Sequence, residues 1–133
     1  MNFSGAADKI KTIGGEYEEN FAAALDRYVE EYQKSIKSLE IASGVSDRQI
    51  YNLRNGLSKP SFESIVALSI GLKLSYNRFE HLMHTAGVCF DNSSRGIMLR
   101  TFVSIAPFSD LTVLKCNFIL RENGFEPLTK CKE

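Results

Sequence analysis

The chain has 133 residues, 44% of them hydrophobic and 24% charged, and its 16 basic and 16 acidic side chains leave a formal net charge of zero. That size and composition suit one globular domain with a real core and exclude a disordered chain. No apolar run approaches the roughly 18 residues of a membrane span, the start MNFSGAADKIKTIGG lacks the basic and apolar regions of a secretion signal, and Cys89, Cys116 and Cys131 make no disulfide framework, so a cytoplasmic protein with reduced thiols is expected.

Residues 1–15, with Ala6, Ala7, Ile10 and Ile13 ahead of Gly14-Gly15, are predicted to form an N-terminal arm, as a short helix or a loosely docked segment. A first long helix is predicted over 16–34, because Phe21, Leu25, Tyr28, Val29 and Tyr32 make one apolar stripe at helical spacing. Glu18, Glu19, Asp26, Glu30 and Glu31 are read as its solvated face. Leu39, Ile41 and Ala42 then precede Gly44, which reads as the stop of a short helix. Val45 supplies an apolar contact, and Ser46 or Asp47 can cap the next helix. Ile50 and Leu53 share the inward face of that helix, over 46–55, leaving Asp47, Arg48, Tyr51, Asn52 and Asn55 on its other faces. Gly56 ends it.

Pro60 disfavours helix at Lys59, and Ser61 is the cap of an apolar helix carrying Phe62, Ile65, Val66, Leu68, Ser69 and Leu72, with Gly71 tolerated near its end. Ser75 opens another with Tyr76, Phe79, Leu82, Met83 and Ala86, closed by Gly87. VCFDNSSRG reads as a loop rich in turn and cap residues. Ile97, Met98, Leu99, Phe102, Val103 and Ile105 then predict a helix ended by Pro107. Ser109 or Asp110 is expected to cap a last helix containing Leu111, Val113, Leu114, Cys116, Phe118, Ile119 and Leu120. Gly124 stops it, and Phe125 packs back.

Charge is unevenly spread. Residues 1–31 hold 3 basic and 7 acidic side chains, whereas residues 32–61 hold 5 basic and 2 acidic. The short-helix pair is thus the basic island of the chain, as a duplex-facing surface would be.

Ser35 through Leu39, the Gly44-Val45-Ser46 turn, Ile50, Leu53-Arg54-Asn55-Gly56, Pro60-Ser61 and Leu68 to Leu74 together resemble the Cro/phage-repressor class of helix-turn-helix, the XRE family, over about residues 21–87. SIKSLEIASGVSDRQIYNLRNG, PSFESIVALSIGLKLS and the tail LKCNFILRENGFEPL also look like an uncharacterised group of bacterial helix-turn-helix proteins common in Firmicutes, which carries a C-terminal extension. The resemblance implies an all-α fold: a five-helix repressor-like helix-turn-helix core with an extra C-terminal helical hairpin. The implied division is an arm (1–15), a DNA-binding domain (16–88), and a C-terminal extension (89–133) packed on the core or on a dimer partner. One departure stands out. The family has Ala in the first helix of the motif where this chain has Glu40. Either Glu40 turns outward with its stem packed, or the two helices cross more openly.

The resemblance implies double-stranded DNA as the ligand, bound by a homodimer through the helix at 46–55. Ser46, Asp47, Arg48, Gln49, Tyr51 and Asn52 are the candidate base-facing residues. Arg48 suits guanine O6 and N7 and Asn52 suits adenine N6 and N7. Asp47 either accepts from cytosine N4 or caps the helix; the cap is the preferred reading. Ser35, Lys37, Asn55 and Lys59 are the candidate phosphate contacts. His81, read as lying on a helix surface, His84 and Cys89 do not have a standard zinc spacing. No nucleophile elbow, Walker loop or dinucleotide motif is present. Neither enzyme activity nor a cofactor or metal is expected. The competing expectation is a protein-interaction module or antitoxin-like component that uses the helix-turn-helix as a scaffold and binds a protein partner through its C-terminal helices or its acidic first helix.

Overall fold

The computed structural model describes residues 19–129, and among these the chain forms seven α-helices and one 3-10 turn, with no strand. The expected arm over 1–15, the start of the first helix at 16 and Cys131 lie outside them. No helix among the described residues is long and apolar enough to cross a membrane.

Local chemistry sets each boundary. α1 (Phe21–Glu31) starts after Asn20, whose side-chain oxygen accepts the Ala23 amide at 2.8 Å, so Glu19 and Asn20 are not helical as predicted. It stops three residues short of 34, where Gln33 turns to φ 53°. α2 (Ile36–Ser43) is capped by Ser35 and ends at Gly44 with φ 72°. α3 (Asp47–Arg54) comes after a turn of three residues, 44–46. α4 (Phe62–Leu72) opens on a reciprocal box between Ser61 and Ser64. α5 (Tyr76–Ala86) runs from the Ser75 cap to Gly87. α6 (Ser94–Ile105) has Ser93 as its cap and passes into the 3-10 turn Ala106–Phe108 that holds Pro107.

The cap of α7 (Val113–Glu122) differs from expectation. Thr112 accepts the Lys115 amide at 3.2 Å, two residues later than Asp110. Leu111 is buried, so the chain first delivers that side chain inward and only then turns into the helix. Asp110 pairs with Lys115 at 2.9 Å instead, and the Lys115 ammonium holds its carboxyl below the usual carboxylate range.

α4 is the centre of the packing. Ten of its eleven residues are buried, which no amphipathic surface helix could achieve. It touches α2, α5, α6 and α7, while α1 lies across α3 and α5. One continuous apolar cluster runs from Phe21 through the C-terminal helices to Leu128. The α2–α4 crossing is close because of Gly71. A Cβ there would lie 3.0 Å from Ser43 Cβ and 3.1 Å from Ser43 N. A side chain at 71 would make Ser43 give way by a few tenths of an ångström, so the glycine serves this close crossing. Ser43 itself is fully buried and satisfied, donating to Leu39 O at 2.7 Å and accepting the Val45 amide at 3.1 Å.

The acids on and just before α1 are not a plain solvated face. Glu19 pairs with Arg27 at 2.6 Å, Glu31 with Arg78 at 2.9 Å, and Asp26 with Arg54. His81 is likewise tucked in rather than on the surface. Its Nδ1 lies 2.8 Å from the Tyr28 hydroxyl, and its side chain keeps only 14% exposure. Burial raises the Tyr28 phenol above its ordinary range.

Cys116 is fully covered and Cys89 exposed. Burial pushes the Cys116 thiol up to about 12. In a Cys131→Ser background, one thiol should react with an aromatic disulfide reagent in the native state and the second only in denaturant. Two fast thiols would contradict this packing. The thiol's contribution to stability is full below its ordinary range near 9 and falls as pH rises towards 12, because the unfolded chain ionises first.

Candidate nucleic-acid interface

The α2–turn–α3 unit is built around three inward residues. Val45 in the turn and Ile50 and Leu53 on α3 are buried against the core. With that face fixed, helical geometry turns the opposite face out. Arg48, Tyr51, Asn52 and Asn55 fall at i, i+3, i+4 and i+7 along it. Arg48 and Asn55 are exposed, Tyr51 keeps 61% of its surface, and Asn52 is half-buried. Asn55 is held by its own helix, donating from Nδ2 to Tyr51 O at 2.8 Å.

The first turn of α3 is closed by protein acceptors. The Asp47 amide donates to Glu40 Oε2 at 2.5 Å, the Arg48 amide to Asp47 Oδ1 at 2.6 Å, and the Gln49 amide to Ser46 Oγ at 3.2 Å. Ser46 is therefore the cap, and Asp47 is the first helical residue. The preferred reading of Asp47 as the cap is corrected to that extent, although its carboxylate does satisfy one free amide. Glu40 is the outward-turned alternative. It is half-buried, and its carboxylate reaches across the turn, while the close crossing of α2 falls at Ser43 and Gly71.

Arg54 was not a candidate in the sequence, yet it borders the site. Its Nε donates to Asp26 Oδ1 at 2.8 Å, tying α3 to α1. Asp26, Ile36, Asp47, Arg48, Tyr51, Arg54 and Asn55 line an open groove of about 550 Å³ beside the outward strip. The sequence could hint at Arg54, which lies three residues beyond Tyr51, but not at a partner 28 positions away.

The predicted residues do not all converge. Arg48, Tyr51 and Asn55 share the groove, and Asn52 adjoins them on the strip. Ser46 and Gln49 face the opposite flank, in a depression shared with Ser61, Leu128 and Thr129. Lys59 opens onto a third depression with Asn20, Phe21 and Ala86. Ser35 is exposed and engaged as the α2 cap, accepting the Ser38 amide at 3.1 Å, and Lys37 is exposed in the first turn of α2. Among the described residues, no carboxylate forms an ion pair with Lys34, Lys37, Arg48 or Lys59. These four side chains are left unpaired by the described carboxylates, whereas Arg27, Arg54, Arg78 and Arg95 direct their charge internally. No group of three His, Cys, Asp or Glu that could hold a metal ion occurs among the described residues.

Comparison with family models, curated proteins and solved structures gives no match to the chain.

Proposed function

We propose that the chain is a cytoplasmic, sequence-specific DNA-binding transcriptional regulator of the Cro/phage-repressor kind, acting by binding and not as an enzyme. One observation carries the reading. A short helix fixed by Ile50 and Leu53 presents Arg48, Tyr51, Asn52 and Asn55 outward on one strip, with no described carboxylate paired to the Arg48 guanidinium. Arg48 reads guanine and Asn52 adenine in the major groove. Tyr51 adds a thymine methyl or phosphate contact. Asp47 adjoins them in the groove, and Ser46 and Gln49 reach base edges from the other flank of α3. Ser35, Lys37, Asn55 and Lys59 orient the protein on phosphates without reading sequence. The five helices α1–α5 form the repressor-like unit, and α6 and α7 form the extension that carries dimerisation. A dimer on a palindromic operator places its half-sites about one helical turn, roughly 34 Å, apart.

A second reading rests on the C-terminal helices. Phe108 is 87% exposed and Phe118 56% exposed, an apolar surface of the kind a partner can cover. It favours a protein partner there, as in an antitoxin, with the helix-turn-helix as scaffold.

The test is recovery of sheared genomic DNA by the wild type and by an Arg48→Ala, Asn52→Ala double variant, followed by sequencing. Wild type alone should enrich a palindromic site. On that site Arg48→Ala should cost about 1–3 kcal/mol and relax one base position. A folded wild type that enriches nothing would move the weight to the second reading.

A further inference from the structure

The first turn of a helix normally leaves its N–H groups unsatisfied, and with the helix dipole they make a ready anion site. In α3 that site is taken. The amides of Asp47, Arg48 and Gln49 all have acceptors within the protein, and two of those acceptors are carboxylates, Glu40 from α2 and Asp47 from α3 itself. Glu40 is not needed to hold α2 against the core, which Leu39 and Ser43 do from the buried side. Nor does Glu40 form an ion pair with any described cation. Its side chain contacts the Asp47 amide instead.

We infer that Glu40 is a positioning residue that sets selectivity: by seating Asp47 it closes the N-terminus of α3 to phosphate, and with Asp47 it holds negative charge where a duplex backbone would otherwise dock. The inference rests on the DNA reading and deepens it. Non-specific binding is phosphate binding, driven by Lys and Arg and indifferent to sequence. A recognition helix whose end repels phosphate gives up part of that affinity and keeps what the outward strip gains from base edges. The net charge of zero then has a local counterpart, because Lys37 and Arg48 attract the duplex while Glu40 and Asp47 oppose a backbone-first approach.

The two roles of Glu40 separate by substitution. Glu40→Gln keeps an acceptor for the Asp47 amide and removes the charge. Glu40→Ala removes both. The measurement is the affinity of each protein, beside Arg48→Ala, for one mixed-sequence duplex of about 20 base pairs at low salt, by fluorescence anisotropy. Hydrogen exchange of the Asp47 amide is followed by NMR in the same proteins. Glu40→Gln should bind the duplex roughly 3- to 10-fold tighter than wild type while keeping the Asp47 amide protected. Glu40→Ala should lose that protection; should it fail to fold, the Gln variant carries the test alone. If Glu40→Gln binds no tighter while Arg48→Ala binds more weakly, the inference is overturned and the DNA reading stands. If no protein, wild type included, binds the duplex at low salt, both fall. An Asp47 amide that stays protected in a folded Glu40→Ala variant would also overturn it.

Discussion

Lys73→Met should lower the free energy of unfolding by about 3 kcal/mol. Lys73 sits at the C-terminal end of α4 with a left-handed backbone, φ 59°. That conformation is unfavourable for any residue with a Cβ. Its ammonium accounts for the exception. It donates to the carbonyl oxygens of Ala106, Ser109 and Leu111 at 3.0, 3.1 and 2.6 Å. All three protons are used, and one group ties together three carbonyls of the α6–α7 connection. Hydrogen bonds to a charged donor contribute about 1.5–3 kcal/mol each when buried. Lys73 is only half-buried, and water can replace part of what is lost, so the sum is discounted to about one such bond. Methionine keeps most of the apolar stem and removes the donor. Arginine should recover less than half of the loss, because a planar guanidinium cannot aim at three converging carbonyls. Urea unfolding followed by circular dichroism measures both variants. A change under about 1 kcal/mol for the methionine variant would show that the connection is held by its apolar contacts instead.

Gly96→Ala should cost at least as much, about 3 kcal/mol, although alanine is the better helix former by about 1 kcal/mol. A Cβ at Gly96 would lie 2.1 Å from the carbonyl oxygen of Asp91 and 2.7 Å from its carbonyl carbon. The obstacle is backbone, so no rotamer relieves it. The loop also cannot drift away freely. Asp91 Oδ1 accepts the Ser93 amide at 2.9 Å, and Phe90 next to it packs on Phe79 with Arg100 4.9 Å over its ring. Gly87→Ala is the control. It has nothing within 4 Å, but its φ of 65° is left-handed, so a cost of only about 1–2 kcal/mol is expected from the backbone alone. Equal losses for the two variants would mean that the loop yields and the contact is soft.

The contrast between those glycines bears on what the sequence could tell. Gly44, Gly87 and Gly124 end helices through local backbone conformation, and they are legible one residue at a time. Gly96 is needed by Asp91 and Gly71 eases the approach of Ser43, and only the assembled fold names those neighbours. The apolar stripes of α1 and α5 were readable because burial follows helical period, and α4 was readable as an almost continuous apolar run. Caps were half readable. Where several Ser, Thr and Asp crowd one boundary, local chemistry allows each, and the choice falls to whichever lets the next apolar residue reach the core. Leu111 moved the α7 cap to Thr112 in that way. Ion pairs were the least legible, since Glu19, Asp26 and Glu31 meet arginines on other turns and other helices. For the candidate interface, the inward pair Ile50 and Leu53 fixed which residues point out. It did not reveal the Arg54–Asp26 tie, the Glu40 cap, or the separation of Gln49 and Lys59 from the outward strip.

The covering of α4 from all sides also has a consequence in time. Chains are made from the N-terminus, and α4 is complete before either of the helices that close over its far side has been synthesised. From then until α7 is finished, some 50 residues later by sequence position, an almost wholly apolar helix has a bare flank. At about 5–20 residues per second that interval lasts a few seconds. The growing chain therefore passes through a stage with a sticky, half-clad helix, and its yield in a cell depends on how well that stage is sheltered.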